Sequence, residues 1–351
     1  MLSETQKEIV TTNKKKSLVV SCAGSGKTRC LVARLQFLLD NGVKPEDIVA
    51  ITFTNAAAQE ISERLNSPEG LFIGTIHSLA NNYLRAAGVD TYEYIEREQF
   101  NHLFELVKQN PHCVKKVKHL LLDEGQDSTE QQFEFMLDMI SPECWMIFAD
   151  WRQSIFRWNG AYPDYIISLA HQSDVTTFDL DENYRNGKRI LDFAKSIIRE
   201  NGYDYLDESI PVSSDSGRVL ETEYSPHAIA RTLVDYTNYG DWFILTRTND
   251  QIDEICNFLK IHNVPYDTFK RAQLDNKELN KKMKENTVKV LTIHTAKGLE
   301  AENVIVIGAK FFNVEERCVS YVAATRAKKF LVWTRMPSKK KKDYGISSWE
   351  R

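Results

Sequence analysis

Residues 17–28 read SLVVSCAGSGKT: a short apolar run, a glycine-rich turn and a Lys-Thr pair. SLVVS has the length and composition of a buried strand. In RCLVARLQFLLDNG (29–42), Leu31, Leu35 and Leu38 recur at helical spacing, and Gly42 is placed to cap the helix C-terminus. Between strand and helix, Gly24, Ser25 and Gly26 make a turn whose backbone N–H groups face phosphate. Lys27 is placed to reach β- and γ-phosphates there, and the Thr28 hydroxyl to ligate Mg²⁺. The positive end of the helix adds to the attraction. The first position is Ser21 rather than glycine, a change a small residue absorbs.

Outward from this turn the chain alternates strand and helix. DIVAITFTN (47–55) reads as a strand and AAAQEISERL (56–65) as a helix of strong formers; HLLLD (119–123) and CWMIFAD (144–150) are further buried strands. That order predicts an α/β domain with a mainly parallel sheet, and both later strands end in an aspartate at the ligand-binding edge. In LLLDEGQD (120–127), Asp123 is placed to hold Mg²⁺ through water and Glu124 to accept a proton from attacking water. A second α/β unit is read from near Val175: VTTFDL (175–180), GRVLETEY (217–224), WFILTRT (242–248), VKVLTIH (288–294) and NVIVIG (303–308) as strands, with helices between. Two arginines, Arg185 in LDENYRNG and Arg326 in YVAATRAKK, could reach the γ-phosphate if that unit closes over the first. Taken singly, either is more often a surface residue.

Composition sets the outer bounds. At about 150 residues per domain, 351 residues predict two or three domains. Lys plus Arg is 45 against 49 for Asp plus Glu, so the net charge of −4 excludes a surface coated in positive charge and still permits a local basic channel. Cys22, Cys30, Cys113, Cys144, Cys256 and Cys318 show no CxxC pair, which points away from structural zinc and a disulfide framework. The start, MLSETQKEIV, does not read as a signal peptide, and there is no 18-residue apolar run. The expectation is a soluble cytoplasmic protein without a membrane partner. PSKKKK (337–342) is a solvated tail or, in a eukaryotic cell, a nuclear address.

The ordered set of motifs resembles the UvrD/Rep-like helicases of superfamily 1, from Thr5 to about Thr334: SETQKEIV, SCAGSGKT, AITFTNAAAQEISERL, GTIHSL, LLLDEGQD, FADWRQSIFRWNGA, LDENYRNG, VLTIHTAKGLEAENVIVIG and YVAATRAKKFLVW. The resemblance implies two RecA-like parallel-sheet domains, 1–176 and 177–334, a small helical insertion at 80–118 and a basic tail at 335–351. It implies ATP and Mg²⁺ as ligands and a motor on single-stranded DNA, moving 3′ to 5′. Lys27, Glu124, Gln153, Arg185 and Arg326 would be catalytic, with Gln153 sensing the γ-phosphate. Gln6 would face the adenine, Tyr184 would stack on it, and Glu300 would contact the ribose or couple it to DNA. Phe53, His77, Trp158, Thr292 and His294 would face DNA, where base–aromatic stacking is worth roughly 1–3 kcal/mol.

Several features depart from the family pattern. Asn159 replaces the usual arginine of WRGA, Trp151 and Arg152 stand at commonly acidic or small positions, and Gly125 fills the variable position of DExQD. His77 and Asp123 are 46 residues apart and Asn249 and His294 are 45 apart, too close for full accessory domains. YEYIEREQFNHLFELVKQN (92–110) reads as a small helical remnant, and FKRAQLDNKELNKKMKEN (269–286) as a lysine-rich stretch. The reading is a stripped-down helicase; the alternatives are a DNA-stimulated ATPase or translocase that needs a protein partner to unwind, and a nucleic-acid-binding scaffold with vestigial ATP binding. RNA in place of DNA and the oligomeric state stay open.

Overall fold

The computed structural model describes residues 2–202, 205–269, 281–308 and 313–336. Two six-stranded sheets, each wholly parallel, form its frame. The first holds β1 (Lys16–Ser21), β2 (Ile48–Thr52), β3 (Phe72–Thr75), β4 (His119–Leu122), β5 (Cys144–Ala149) and β6 (Thr176–Leu180) in the order β3-β2-β4-β5-β1-β6. A two-residue pair, β7 (Glu182–Asn183) with β8 (Ile210–Pro211), follows. The second sheet holds β9 (Arg218–Glu223), β10 (Trp242–Thr246), β11 (Tyr266–Phe269), β12 (Val288–Thr292), β13 (Ala301–Val306) and β14 (Ala327–Arg335) in the order β11-β12-β10-β13-β14-β9. Helices cover both faces, so central strands such as IVAIT and WFILT are buried along their whole length.

The strand VTTFDL belongs to the first sheet. It was expected to open the second unit, but β6 pairs in parallel with β1 from Ser17↔Thr176 to Ser21↔Leu180. A boundary at 176 therefore falls at the start of a first-domain edge strand. Sequence order could not show this, because the pairing is set by which edge of β1 lacks a partner. Local chemistry fixes the helix ends as expected. Gly42 takes φ 80 and donates to the Leu39 carbonyl, while Ser3 and Gln6 form a capping box around the first helix, Glu4–Thr11. Within the expected insertion, 80–118, lie the end of helix Ile76–Ala86 and the helices Tyr92–Glu96 and His102–Gln109. PSKKKK and residues 270–280 of the lysine-rich stretch lie outside the described residues.

The two sheets share a core. Ala23, Ile155, Phe156 and Ala161 of the first unit are buried in one apolar cluster with Leu291, Ile293, Ala296, Val319 and Val322 of the second. Packing across this seam brings the polar site described next to a single place.

Candidate nucleotide cleft and nucleic-acid interface

The phosphate loop joins β1 to the helix Lys27–Asp40. Gly24 and Gly26 take φ 67 and 83, in the left-handed region that glycine enters without strain. Gly24 carries a second constraint: a Cβ there would lie 2.5 Å from the Arg185 Cβ. The helix opens on Gly26 without a side-chain cap, and the buried Ser25 hydroxyl has no hydrogen-bond partner. A polyphosphate fits a turn with these unmet donors.

Facing the loop are the ends of β4 and β5. Lys27 Nζ lies 3.1 Å from Glu124 Oε1. Burial works against the lysine's charge, but Glu124, Asp150 and Asp123 outweigh it and hold Lys27 above its ordinary value. Burial would likewise raise Glu124, yet Lys27, Lys297 and the Gln126 amide keep it well below the usual carboxylate range. Glu124 is thus an ionised carboxylate on a backbone at φ 53, a strained setting for a non-glycine residue. Asp123 is pushed up by burial and then by the Glu124 charge. A divalent cation would relieve that repulsion, and the hard oxygens of Thr28 and Asp123 suit Mg²⁺, which keeps its other positions for water and phosphate.

The second domain closes this site with cations. Arg326 is buried and donates to the carbonyls of Val322 (3.0 Å) and Leu299 (3.1 Å) and to Gln153 Oε1 (3.0 Å). Burial, then the like charge of Arg185, disfavours its cationic form; an incoming polyphosphate would reverse that cost. Arg185 donates from Nε to Glu300 Oε2 at 2.6 Å, and Lys328 pairs with the same carboxylate at 2.9 Å. Glu300 therefore engages both cations. The Gln6 amide accepts the Ser3 N–H and donates to the Ser25 carbonyl, each at 3.1 Å, which seats it against the phosphate loop. Tyr184 is 45% exposed; its N–H donates to the Gly24 carbonyl and its hydroxyl to Glu182.

Residues that the sequence reading left out complete the cleft. Lys297 crosses from the second domain to Asp127, at 2.5 and 2.8 Å, and to the Gln153 carbonyl at 2.7 Å. Burial raises Asp127 to about 6 against the pull of Lys297. Asn183 donates to the Ala23 carbonyl at 2.7 Å and to Asn186, whose amide holds the Thr325 and Ala327 carbonyls on either side of Arg326. The TAKG and ENYRNG strings contain these residues. Only their buried, cross-domain placement reveals the role.

The residues expected to face DNA divide into two groups. Phe53 stacks on Phe156 at 4.9 Å, and Phe156 also meets Trp158 and the second-domain His294, at 6.2 and 5.9 Å between ring centres. Trp158 is 66% exposed. Thr292 bonds Thr295 through their hydroxyls at 2.9 Å, at the end of β12. His77 lies elsewhere: its half-buried ring packs on Phe100 and Phe104 of the helical insertion and is 3.5 Å from the Gln132 amide, and burial lowers its pKa.

Residues 2–111 and 98–174 match the model of the UvrD/REP helicase N-terminal domain, and residues 267–337 that of the UvrD-like helicase C-terminal domain. The chain belongs to the UvrD/Rep helicase family. Among relatives of this UvrD/Rep-family protein is a probable DNA helicase of Mycoplasma pneumoniae, 25% identical over 94% of this chain and 82% of its own length. The ATP-dependent DNA helicase Rep of Escherichia coli is 24% identical over 71% of this chain, and the ATP-dependent DNA helicase PcrA of Staphylococcus aureus 24% identical over 74%. The matched region covers 52% of Rep and 50% of PcrA, so the chain spans about half the length of those two. The two-sheet α/β frame is the one that the family resemblance implied. No described helix is long and apolar enough to cross a membrane.

Proposed function

We propose that this protein is an ATP-dependent motor that travels on single-stranded DNA, 3′ to 5′, and separates strands as it moves. The observation that carries the reading is the joint seating of Lys27, Glu124, Gln153 and Arg326 across one domain seam, with Gln153 bonded directly to Arg326. In this scheme Lys27 and the loop amides bind the β- and γ-phosphates of ATP. Thr28 and Asp123 would hold Mg²⁺, which supplies charge neutralisation on the phosphate oxygens. Glu124 takes the proton of the attacking water, Gln153 contacts the γ-phosphate, and Arg185 and Arg326 offset the charge that develops there. Gln6 and Tyr184 frame the base, and Glu300, freed from Arg185, meets the ribose. Loss of the γ-phosphate removes the anion that draws the domains together, which would alternate their grip on DNA.

Phe53, Trp158, Thr292 and His294 offer that grip from both domains, with Trp158 as the exposed stacking surface. The small insertion and the short 269–286 stretch favour one variation: a DNA-stimulated translocase that unwinds only with a partner in place of accessory domains. The test is ATP hydrolysis with and without single-stranded DNA, with Lys27→Ala as the blank, followed by unwinding of duplexes bearing a 3′ or a 5′ tail. DNA-stimulated hydrolysis with a 3′-tail requirement is expected. Stimulated hydrolysis without unwinding selects the translocase, and hydrolysis no greater than the blank rejects both.

A further inference from the structure

Arg152 stands where the family pattern is commonly acidic or small, and phosphate chemistry does not demand it. The residue is 7% exposed, and its guanidinium is engaged on every side. Nε donates to Asp150 Oδ1 at 2.6 Å, and one terminal nitrogen donates to the carbonyl of Ser21, where the phosphate loop begins, at 2.8 Å. The other donates to the Leu206 carbonyl at 3.0 Å and lies 3.6 Å from Asp207 Oδ1. Leu206 and Asp207 follow the helix Lys188–Ile198, which packs in the second domain.

The bonds continue from there. Asp207 accepts the Tyr321 hydroxyl at 2.7 Å. The Tyr321 carbonyl accepts from the Thr325 N–H and hydroxyl, and Arg326 donates to that hydroxyl oxygen at 3.2 Å. Arg326 reaches Gln153 Oε1, and Gln153 Nε2 donates to Asp150 Oδ2 at 2.7 Å. The path closes on Arg152. It is a ring that crosses the domain seam twice, in front through Arg326–Gln153 and behind through Arg152–Leu206/Asp207.

We propose that Arg152 is a positioning residue for Gln153: it fixes Asp150, which orients the Gln153 amide, only while the second domain is seated behind. The inference rests on the nucleotide reading given above. Arginine suits the task because its planar fork spreads its donors over the separated acceptors of Asp150, Ser21 and Leu206, a span that the single ammonium of a lysine does not cover. The rear bond borders a cavity of about 480 Å³ lined by Cys22, Asp181, Leu206 and Glu208 among others, so a shorter side chain leaves space that water can fill.

The test is steady-state hydrolysis by wild type, Arg152→Lys, Gln153→Ala and the double variant. Arg152→Lys should lower kcat about 10- to 100-fold, the scale of a misplaced reacting group, with KM for ATP little changed. In the Gln153→Ala background the same change should add almost nothing. An unchanged kcat in Arg152→Lys, or an equal further loss in the double variant, overturns the proposal. Wild-type turnover no greater than Lys27→Ala rejects the nucleotide reading itself. Hydrogen exchange then decides whether the ring couples the two sides: Arg152→Lys and Tyr321→Phe should each speed exchange in 150–154 and 205–209 together. Exchange unchanged at either segment overturns the coupling. Asp181→Asn, which lines the same cavity outside the ring, should match wild type in both measurements.

Discussion

The two sheets have the same strand count and the same parallel sense, yet they contribute to the cleft in opposite ways. The first presents the C-terminal ends of its strands: the phosphate loop follows β1, Asp123 and Glu124 follow β4, and Asp150 follows β5. Among its described residues the second has no glycine-rich turn. Its Glu300 and Arg326 stand immediately before β13 and β14, and Lys297 lies in the connection from β12 to β13. In the proposed motor, one domain holds the anion mainly through a loop of backbone N–H groups with Lys27, whereas the other reaches it only with side-chain charge. A cradle built from one loop works alone, but charge delivered by a second body depends on how that body is docked. In the proposed motor, this division is what would let a nucleotide govern domain closure.

Removing delivered charge should produce the largest effect. Arg326→Ala is expected to lower single-turnover hydrolysis about 10³-fold or more, as for a lost arginine finger, while ATP binding measured separately changes far less. If affinity falls as far as turnover, Arg326 belongs with the cradle and the division between domains breaks. Lys297→Met should act on the docking itself. It strands buried Asp127, so denaturant unfolding should show a loss of about 3–5 kcal/mol at neutral pH. The sign of its pH dependence follows from Asp127, whose folded pKa is raised by burial to about 6 and would rise further without the lysine. Protonated Asp127 needs no partner, so the deficit should narrow as pH falls from about 7.5 towards about 5. A deficit that is constant across that range would mean that Asp127 does not set the cost. The smallest effect belongs to the aromatic side of the seam: Trp158→Ala should weaken single-stranded DNA binding by about 1–3 kcal/mol and spare DNA-free hydrolysis. Equal losses in both would place Trp158 in the nucleotide machinery.

Much of the frame is readable along the chain because it depends on local order. SLVVS, IVAIT, WFILT and NVIVIG are apolar runs of strand length, and the helices around them carry their own caps in Ser3, Thr54, Thr75 and Thr248. The phosphate loop is readable for the same reason, since its glycines, Lys27 and Thr28 act within one turn. VTTFDL was not readable in its sheet, because either domain could have offered it an edge. His77 was grouped with Phe53 by motif order, yet the insertion supplies Phe100 and Phe104 to pack it.

The sequence by itself determined the glycine-rich turn after β1, the acidic pair at the end of β4 and two units of parallel sheet, since hydrophobic runs, glycine dihedrals and capping act over a few residues. Only the tertiary structure decided that Lys297 meets Asp127, that Asn183 holds the loop, and that Arg152 closes a ring through Tyr321 and Arg326. These contacts join residues up to 173 positions apart, as with Arg326 and Gln153. Their existence depends on the shared apolar seam that holds two bodies in register, and a linear pattern of residue types does not encode that register locally.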